Sequence, residues 1–489
     1  MTLKRLLLSL LTAVVLLLVG RSLWTSVQQV QPQSRLDLYQ TDLILQAASW
    51  QPDSKETDFQ LVVARLLGED PVANALEQYQ ELKTTLANTS TDDPTSAPPE
   101  RPAALDLQIG LLQVSAGRVT DALKTWAELV KLQPDSAQAI TAQVLTGLWG
   151  EPAQLLPDGE VLIQQTLSGW YANQALARLY ELQQRRDALT QLQTKQQVAA
   201  TQSLLRLAIV GGLPALGSLL GLGLIVGLLV QRLVAPKRSI LLPSDAQMAW
   251  SVPWQGETVW EVMVLWFAAF LGLGQLVVPL VLLAWQQMGL LANPLDFRGQ
   301  AIYVLLSYGA MVLAGVTILV TVLRRFAPLP QDWFRFHFNG SGFLWGIGGY
   351  LSALPLVIIV SLLNAKLLQG RGGGNPLLTV ILDSQDTVAK AILLSVVAIA
   401  APVFEELLFR GFLLPSLTRY LPVGWALLFS SILFAIAHLN LSDVLPLTVL
   451  GCVLGFIYLR SRNLMAPMLL HSCWNSGSFL ALLILGGNT

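Results

Sequence analysis

Phe404-Glu405-Glu406-Leu407-Leu408-Phe409-Arg410 sits inside an apolar run over 388–417, and two carboxylates with a guanidinium in such a run decide how the chain is read. Ionisable side chains in hydrocarbon are expensive, so they persist mainly where they pair with one another or do chemistry. Two more polar segments come later in equally apolar surroundings, Phe434-Ala435-Ile436-Ala437-His438 and His471-Ser472-Cys473-Trp474-Asn475. The chain has only three histidines, and two of them lie in these segments.

Of 489 residues, 53% are hydrophobic and 12% charged, and the mean hydropathy is +0.55. This is the composition of an integral, multi-pass membrane protein. The formal net charge is −1 and Lys and Arg form no stripe, which sets aside a nucleic-acid partner. Cys452 and Cys473 both lie in apolar segments, so neither a disulfide framework nor a cysteine zinc site is implied. At the N-terminus, Lys4 and Arg5 precede an apolar run over 6–20. No small-x-small cleavage site comes after it, because Gly20 gives way to Arg21, Ser22, Leu23 and Trp24. Residues 1–21 therefore read as an uncleaved signal anchor, with its basic end inside and the next segment exported.

Residues 22–203 are polar with amphipathic helical periodicity, broken over 88–102 by a Ser-, Thr-, Asp- and Pro-rich stretch that reads as a flexible loop. Next, Ile109, Gly110, Gly117, Ala122, Trp126 and Pro134 fall at the spacing of a tetratricopeptide unit. In such a unit small residues sit where two helices touch, a large one fills the groove, and proline closes the second helix. Leu67-Gly68 with Ala75 and Tyr79, and Tyr180 with Ala188, look like degenerate copies. The expectation is an extracytoplasmic α-helical, TPR-like domain that binds a protein partner; a generic helical bundle is the alternative. A second apolar run, over 207–230, is long enough to span at ~1.5 Å per residue across ~30 Å of hydrocarbon. Arg232, Lys237 and Arg238 behind it return the chain to the cytoplasm.

Further spans are expected near 262–285, 301–323, 342–363, 388–417, 423–440, 443–459 and 464–486, nine in all with the first two. Arg324, Arg325, Arg460 and Arg462 then fall on the cytoplasmic side. The fold class is all-α, a polytopic membrane helix bundle. Residues 204–386 supply the membrane helices that precede a catalytic core over 387–489. The glycine run 372–374 belongs to an external loop and lacks the lysine and hydroxyl residue of a phosphate-binding loop. His337, in a loop that also holds Arg335, is expected to be solvated near the cytoplasmic surface.

The sixth and seventh spans form a hairpin whose turn is marked by Leu421-Pro422-Val423-Gly424. Glu405 lies 16 residues before Leu421 and His438 lies 17 after it, so both sit roughly 25 Å along their helices from the turn. His471 and Asn475 are one helical turn apart and share a face of the ninth span. Glu406 and Arg410 have the same spacing. An ion pair between them would leave Glu405 available. A carboxylate and an imidazole holding one water can deprotonate it, and a second imidazole with an amide N–H suits the oxyanion formed when that water attacks a peptide carbonyl. Cys473 falls on another face, and no serine or cysteine is placed as nucleophile. Glu405, His438 and His471 could also hold Zn2+ with one position left for water, although the helical His-Glu-x-x-His signature is absent.

Taken together, the three segments resemble the CPBP family of intramembrane proteases, which includes the CAAX prenyl endopeptidases and the bacterial abortive-infection-like proteins. The family pattern is Glu-Glu-x-x-x-Arg, Phe-x-x-x-His and His-x-x-x-Asn on successive membrane helices. Here it reads Glu405-Glu406 with Arg410, Phe434 with His438, and His471 with Asn475. The resemblance implies that Glu405 and His438 activate water, that His471 and Asn475 stabilise the oxyanion, and that Glu406 and Arg410 support them. It also implies that the substrate is a membrane protein or lipidated peptide. It covers only about 388–486, so nothing about the helical domain is inherited. Two other classes compete: a non-proteolytic scaffold or immunity-type binder on the same fold, and a proton-coupled transporter with Glu405 as carrier. The transporter would need broken helices in matching halves, which the sequence does not offer.

Overall fold

A helix in hydrocarbon must satisfy its own backbone and run for about 20 residues. Among the described residues eight helices meet both conditions. The computed structural model describes residues 2–28, 33–51, 63, 67–89, 103–236, 239–240, 249–292, 295–338, 340–368, 381–382 and 384–486. Lys237, Arg238, the glycine run 372–374 and nearly all of the expected loop over 88–102 lie outside them. No strand occurs among the described residues. The protein is an all-helical, multi-pass membrane protein.

The chain divides into two compact units, one built from residues 1–32 and 214–483, the other centred on 33–213. The membrane unit thus takes its first helix up to the residues before Gln33, beyond the boundary at 21 read from the sequence.

In the second unit, α2 (Gln33–Ala48), α3 (Pro71–Thr89), α4 (Ala103–Ser115), α5 (Val119–Leu132), α6 (Ala137–Trp149), α7 (Gly159–Thr166) and α8 (Gly169–Leu182) pack as successive neighbours, ahead of the start of α9 (Arg186–Val234). α4 and α5 form a helical hairpin, a packing common to tetratricopeptide units and generic helical bundles alike. Gly117 turns the chain at φ +77, Ala122 and Trp126 are fully buried, and Pro134 comes just past the end of α5. A side chain at Gly110 would overlap the Trp126 indole, its Cβ coming within 2.1 Å of Nε1, so the glycine is what lets the indole lie against α4. Ser136 caps α6 by accepting from Ala139 N at 3.0 Å.

The membrane unit contains α1 (Leu3–Gln28), the end of α9, α10 (Gly256–Gln287), α11 (Phe297–Phe326), α12 (Gly340–Leu368), α13 (Thr387–Leu417), α14 (Val423–Ile436), α15 (Leu441–Ser461) and α16 (Met465–Gly486). The seventh of the nine expected spans is the exception. α14 has 14 residues, ~21 Å at ~1.5 Å per residue, short of the hydrocarbon thickness; Leu439 and Asn440, expected inside that span, form the turn into α15. The first span is packed into the unit, not left as a free anchor. Val15 and Val19 join its core, and Trp260 Nε1 donates to Thr12 Oγ1 at 2.9 Å.

Two irregularities in α13 set the position of the acidic pair. Its hydrogen bonding widens to i→i+5 at Val396–Ala400 and again at Leu407–Leu413, so Glu405 and Glu406 lie between two wide turns of a kind often found at functional sites. Beneath them runs an aromatic chain. Trp266 meets Phe409 edge-on at 5.6 Å, Phe409 meets Phe434 at 5.5 Å, and Phe434 is fully buried.

Candidate active site

Glu406 and Arg410 form the ion pair that their spacing predicts. Arg410 Nη1 donates to Glu406 Oε1 at 2.7 Å, and both side chains are withdrawn from the surface, at 1% and 0% exposure. Two charges this deep need further partners, and Glu406 finds its own on Oε1, while its Oε2 is buried with no hydrogen-bond partner among the described residues. Arg410 Nη2 donates to the Gly451 carbonyl on α15 at 3.1 Å, and the guanidinium lies over the Phe434 ring at 4.3 Å. Gly451 is needed at this contact, since a Cβ there would come within 2.8 Å of Ser431.

The same Oε1 of Glu406 receives His471 Nδ1 at 2.9 Å. A carboxylate paired with arginine can only accept, so Nδ1 carries a ring hydrogen, and the neutral ring then has its lone pair on Nε2. That lone pair faces Glu405. The separation from His471 Nε2 to Glu405 Oε2 is 3.9 Å, too long for a direct hydrogen bond and short enough for one water to touch both. Glu405 Oε2 is buried and has no hydrogen-bond partner among the described residues. Such a group calls for an explanation, and a reacting molecule supplies one. The other oxygen, Oε1, is held by the Tyr308 hydroxyl on α11, which donates at 3.3 Å.

His438 joins the cluster through Phe434. Its Nδ1 contacts the Phe434 carbonyl at 3.0 Å, so its hydrogen also sits on Nδ1 and its lone pair on Nε2. Its ring and that of His471 stand edge-on to the Phe434 ring at 5.0 and 5.7 Å. One phenyl group thus orients two imidazoles and a guanidinium. Unlike His471, His438 is exposed. Among the described residues no three His, Cys, Asp or Glu side chains gather closely enough to hold a metal ion. The three-ligand zinc set read from the sequence as Glu405, His438 and His471 is therefore not assembled here, although both rings carry the Nδ1–H pattern that suits a ligating histidine.

Asn475 has a use that the sequence could not reveal. Its Nδ2 donates to the Val397 carbonyl at 2.8 Å. In the wide turn at that point Ala401 N–H donates to Val396 O, and Pro402, next in line for Val397 O, has no N–H. Asn475 supplies the missing donor and ties α16 to α13. Cys473, half-buried with a free thiol, takes no part in these contacts. His337, exposed as expected, lies in the loop between α11 and α12, where its N–H donates to Asn463 Oδ1 at 3.0 Å.

Tyr308 is the residue that sequence reading misses. It lies on a helix with no motif, 97 positions from Glu405, and its only signal is a phenol in the middle of an apolar span.

Parts of this chain have recognisable relatives. Residues 387–477 match the family described as Type II CAAX prenyl endopeptidase Rce1-like. "Putative membrane peptidase YdiL" of Bacillus subtilis (strain 168) is 28% identical over 171 residues, 34% of this chain and 68% of that protein. An "Uncharacterized 24.3 kDa protein" of Escherichia coli is 28% identical over 174 residues, 35% of this chain and 76% of that one. "UPF0177 protein YxdF" of Lactococcus lactis subsp. lactis (strain IL1403) is 34% identical over 91 residues, 18% of this chain and 50% of that one. No solved structure matches. Glu405, Glu406, Arg410, His438, His471 and Asn475 all lie within the segment that is similar to the Rce1-like CAAX protease family, and the helices before 387 lie outside that match.

Proposed function

We propose that the protein is an intramembrane endopeptidase that hydrolyses a peptide bond of a membrane protein or lipidated peptide with water activated at Glu405. The observation that carries this reading is the buried, partnerless Oε2 of Glu405, 3.9 Å from a ring nitrogen that Glu406 fixes as an acceptor. The water donates one hydrogen to Glu405 Oε2 and the other to His471 Nε2. As its oxygen bonds to the peptide carbon, its proton passes to Glu405. That proton then goes to the leaving nitrogen as the C–N bond breaks, yielding a carboxylic acid and an amine and restoring the carboxylate. The second N–H of Asn475 Nδ2 is the donor available to the oxyanion. This departs from the role that the family resemblance suggests for His471, because a neutral ring with hydrogen on Nδ1 has none to give at Nε2.

Residues 33–213, with one helical hairpin at tetratricopeptide spacing, recruit the substrate or a protein partner in this reading. The test incubates the purified full-length protein and its Glu405→Ala variant with a membrane proteome and compares new peptide termini, with and without a chelator. Termini that appear only with the unaltered protein are expected. Equal products from both proteins would leave the scaffold reading in its place, and loss of activity in the chelator would assign the step to a bound metal such as Zn2+.

A further inference from the structure

His438 lies two residues past the end of α14, in a tight reversal whose conformation is unfavourable on its own. Leu439 adopts φ +56, a left-handed backbone that a leucine seldom takes and that persists only where the surroundings impose it. Immediately after it α15 begins, and the first N–H groups of a helix have no partner within that helix. Asn440 caps one of them, accepting from Ser442 N at 3.3 Å. The N–H of Leu441 is satisfied from a distant part of the chain, donating to Ser26 Oγ on α1 at 3.0 Å. Ser26 is buried, and its hydroxyl donates in turn to Leu23 O at 2.7 Å, which leaves a lone pair for the amide. From another side Asn364 Nδ2 on α12 donates to Ser442 O at 2.7 Å, while Asn440 Nδ2 donates to Asp443 Oδ2 at 2.8 Å. α1 is itself fixed along its length. Lys4 pairs with Glu261 at 2.8 Å, Thr12 holds Trp260, and Ser22 Oγ accepts from Gln275 Nε2 at 3.2 Å.

We propose that Ser26 is a positioning residue for His438: the N-terminal helix latches the α14–α15 reversal through Leu441 N–H and so sets where the His438 ring stands. Residues 3–28 then belong to the working parts of the membrane unit, and the family segment at 387–477 is incomplete without them. The activity arm of the test rests on the peptidase reading, and the exchange arm does not.

The experiment compares full-length Ser26→Ala, Ser26→Thr and Ser22→Ala proteins in lipid nanodiscs, following amide hydrogen exchange over 437–443 and the kinetics of peptide-bond cleavage. Losing one satisfied amide should speed exchange around Leu441 by about five- to tenfold in Ser26→Ala and lower kcat with KM unchanged. Ser26→Thr, which keeps the hydroxyl, and Ser22→Ala, which alters α1 away from the latch, should leave both readouts where they are. Unchanged exchange in Ser26→Ala overturns the latch, as does a rise spread equally over α1 and α10, which would signal general loosening. Faster exchange at the reversal with kcat unaltered overturns the positioning of His438. If the unaltered protein cleaves nothing, the peptidase reading falls and the exchange arm alone decides the latch.

Discussion

At the scale of single residues, the membrane site is governed by which atoms have partners. Of the two oxygens of Glu405, Oε1 accepts from a phenol and Oε2 is buried with no partner among the described residues, and the phenol comes from outside the family segment. Replacing Tyr308 with Phe removes one hydrogen bond to a charged group, worth about 1.5–3 kcal/mol. The expected result is a fall in kcat of roughly ten- to a hundredfold with KM little changed, because the carboxylate loses the contact that aims Oε2 at the water. A rise in KM of the same size with kcat intact would instead assign Tyr308 to substrate binding. The helical unit contains a second carboxylate of interest. Asp42 receives the hydroxyls of Tyr79 at 2.6 Å and Tyr171 at 3.0 Å. Burial pushes its carboxyl up from 3.8 to about 6 against the opposing pull of the two phenols. An acid raised in the folded state holds its proton more tightly folded than unfolded, so its contribution is fully present below about pH 4 and is lost as pH rises through 6. The whole effect is at most about 3 kcal/mol, at ~1.4 kcal/mol per unit. Denaturant melts of the full-length protein should show this unit losing stability between pH 4 and 6, and Asp42→Asn should flatten that slope. A slope that persists in the variant would place its origin elsewhere.

At the scale of helices, what the sequence reveals depends on whether a contact is local. Glu406 with Arg410, His471 with Asn475, and Gly110 with Trp126 are readable because helical spacing or a turn brings them together, and each pair falls on the expected element. The joining of α13, α14 and α16 is readable as well, since polar residues in apolar helices have few places to go but toward one another. Contacts set by hydrogen-bond register are not. The two wide turns in α13 leave no mark on hydropathy, so from spacing alone Asn475 reads only as an oxyanion donor, and the missing N–H of Pro402 is what shows why Val397 O needs it. The imidazole roles are hidden for a similar reason, because a tautomer depends on the partner of Nδ1 and no spacing records that partner. α14 reads as a full span because the apolar run of 423–440 continues through the reversal. Only the left-handed Leu439 and the cap at Asn440 end the helix before hydrocarbon thickness is reached.

Over the membrane unit as a whole, charge sets direction. Lys4 and Arg5 at the start of α1 meet Glu261 and Glu257 at the start of α10, and Arg325 at the end of α11 meets Glu261 at 2.7 Å. Arg419 after α13 donates to Val252 O and Trp254 O just before α10, and Arg462 after α15 donates to Ala249 O. These contacts bring the basic ends of α1, α11, α13 and α15 together with the start of α10 at one end of the unit. The short α14 does not upset the count. It leaves from that end after Arg419, its reversal reaches Ser26 and Asn364 near the far ends of α1 and α12, and α15 returns to Arg460. The positive-inside rule therefore predicts that this end faces the cytoplasm. Glu405 lies 12 residues from Leu417 and 18 from Thr387 along α13, roughly 18 and 27 Å at ~1.5 Å per residue, so cleavage is expected in the cytoplasmic half of the bilayer. Single cysteines test the orientation on a background with Cys452 and Cys473 replaced. Phe338→Cys, at an 82%-exposed position in the loop after α11, and Leu290→Cys, at a 66%-exposed position between α10 and α11, report opposite ends. A membrane-impermeant maleimide added to intact cells should label Leu290→Cys alone, and added to inverted vesicles should label Phe338→Cys alone. The reverse pattern would turn the bundle over and move the site to the outer half of the membrane.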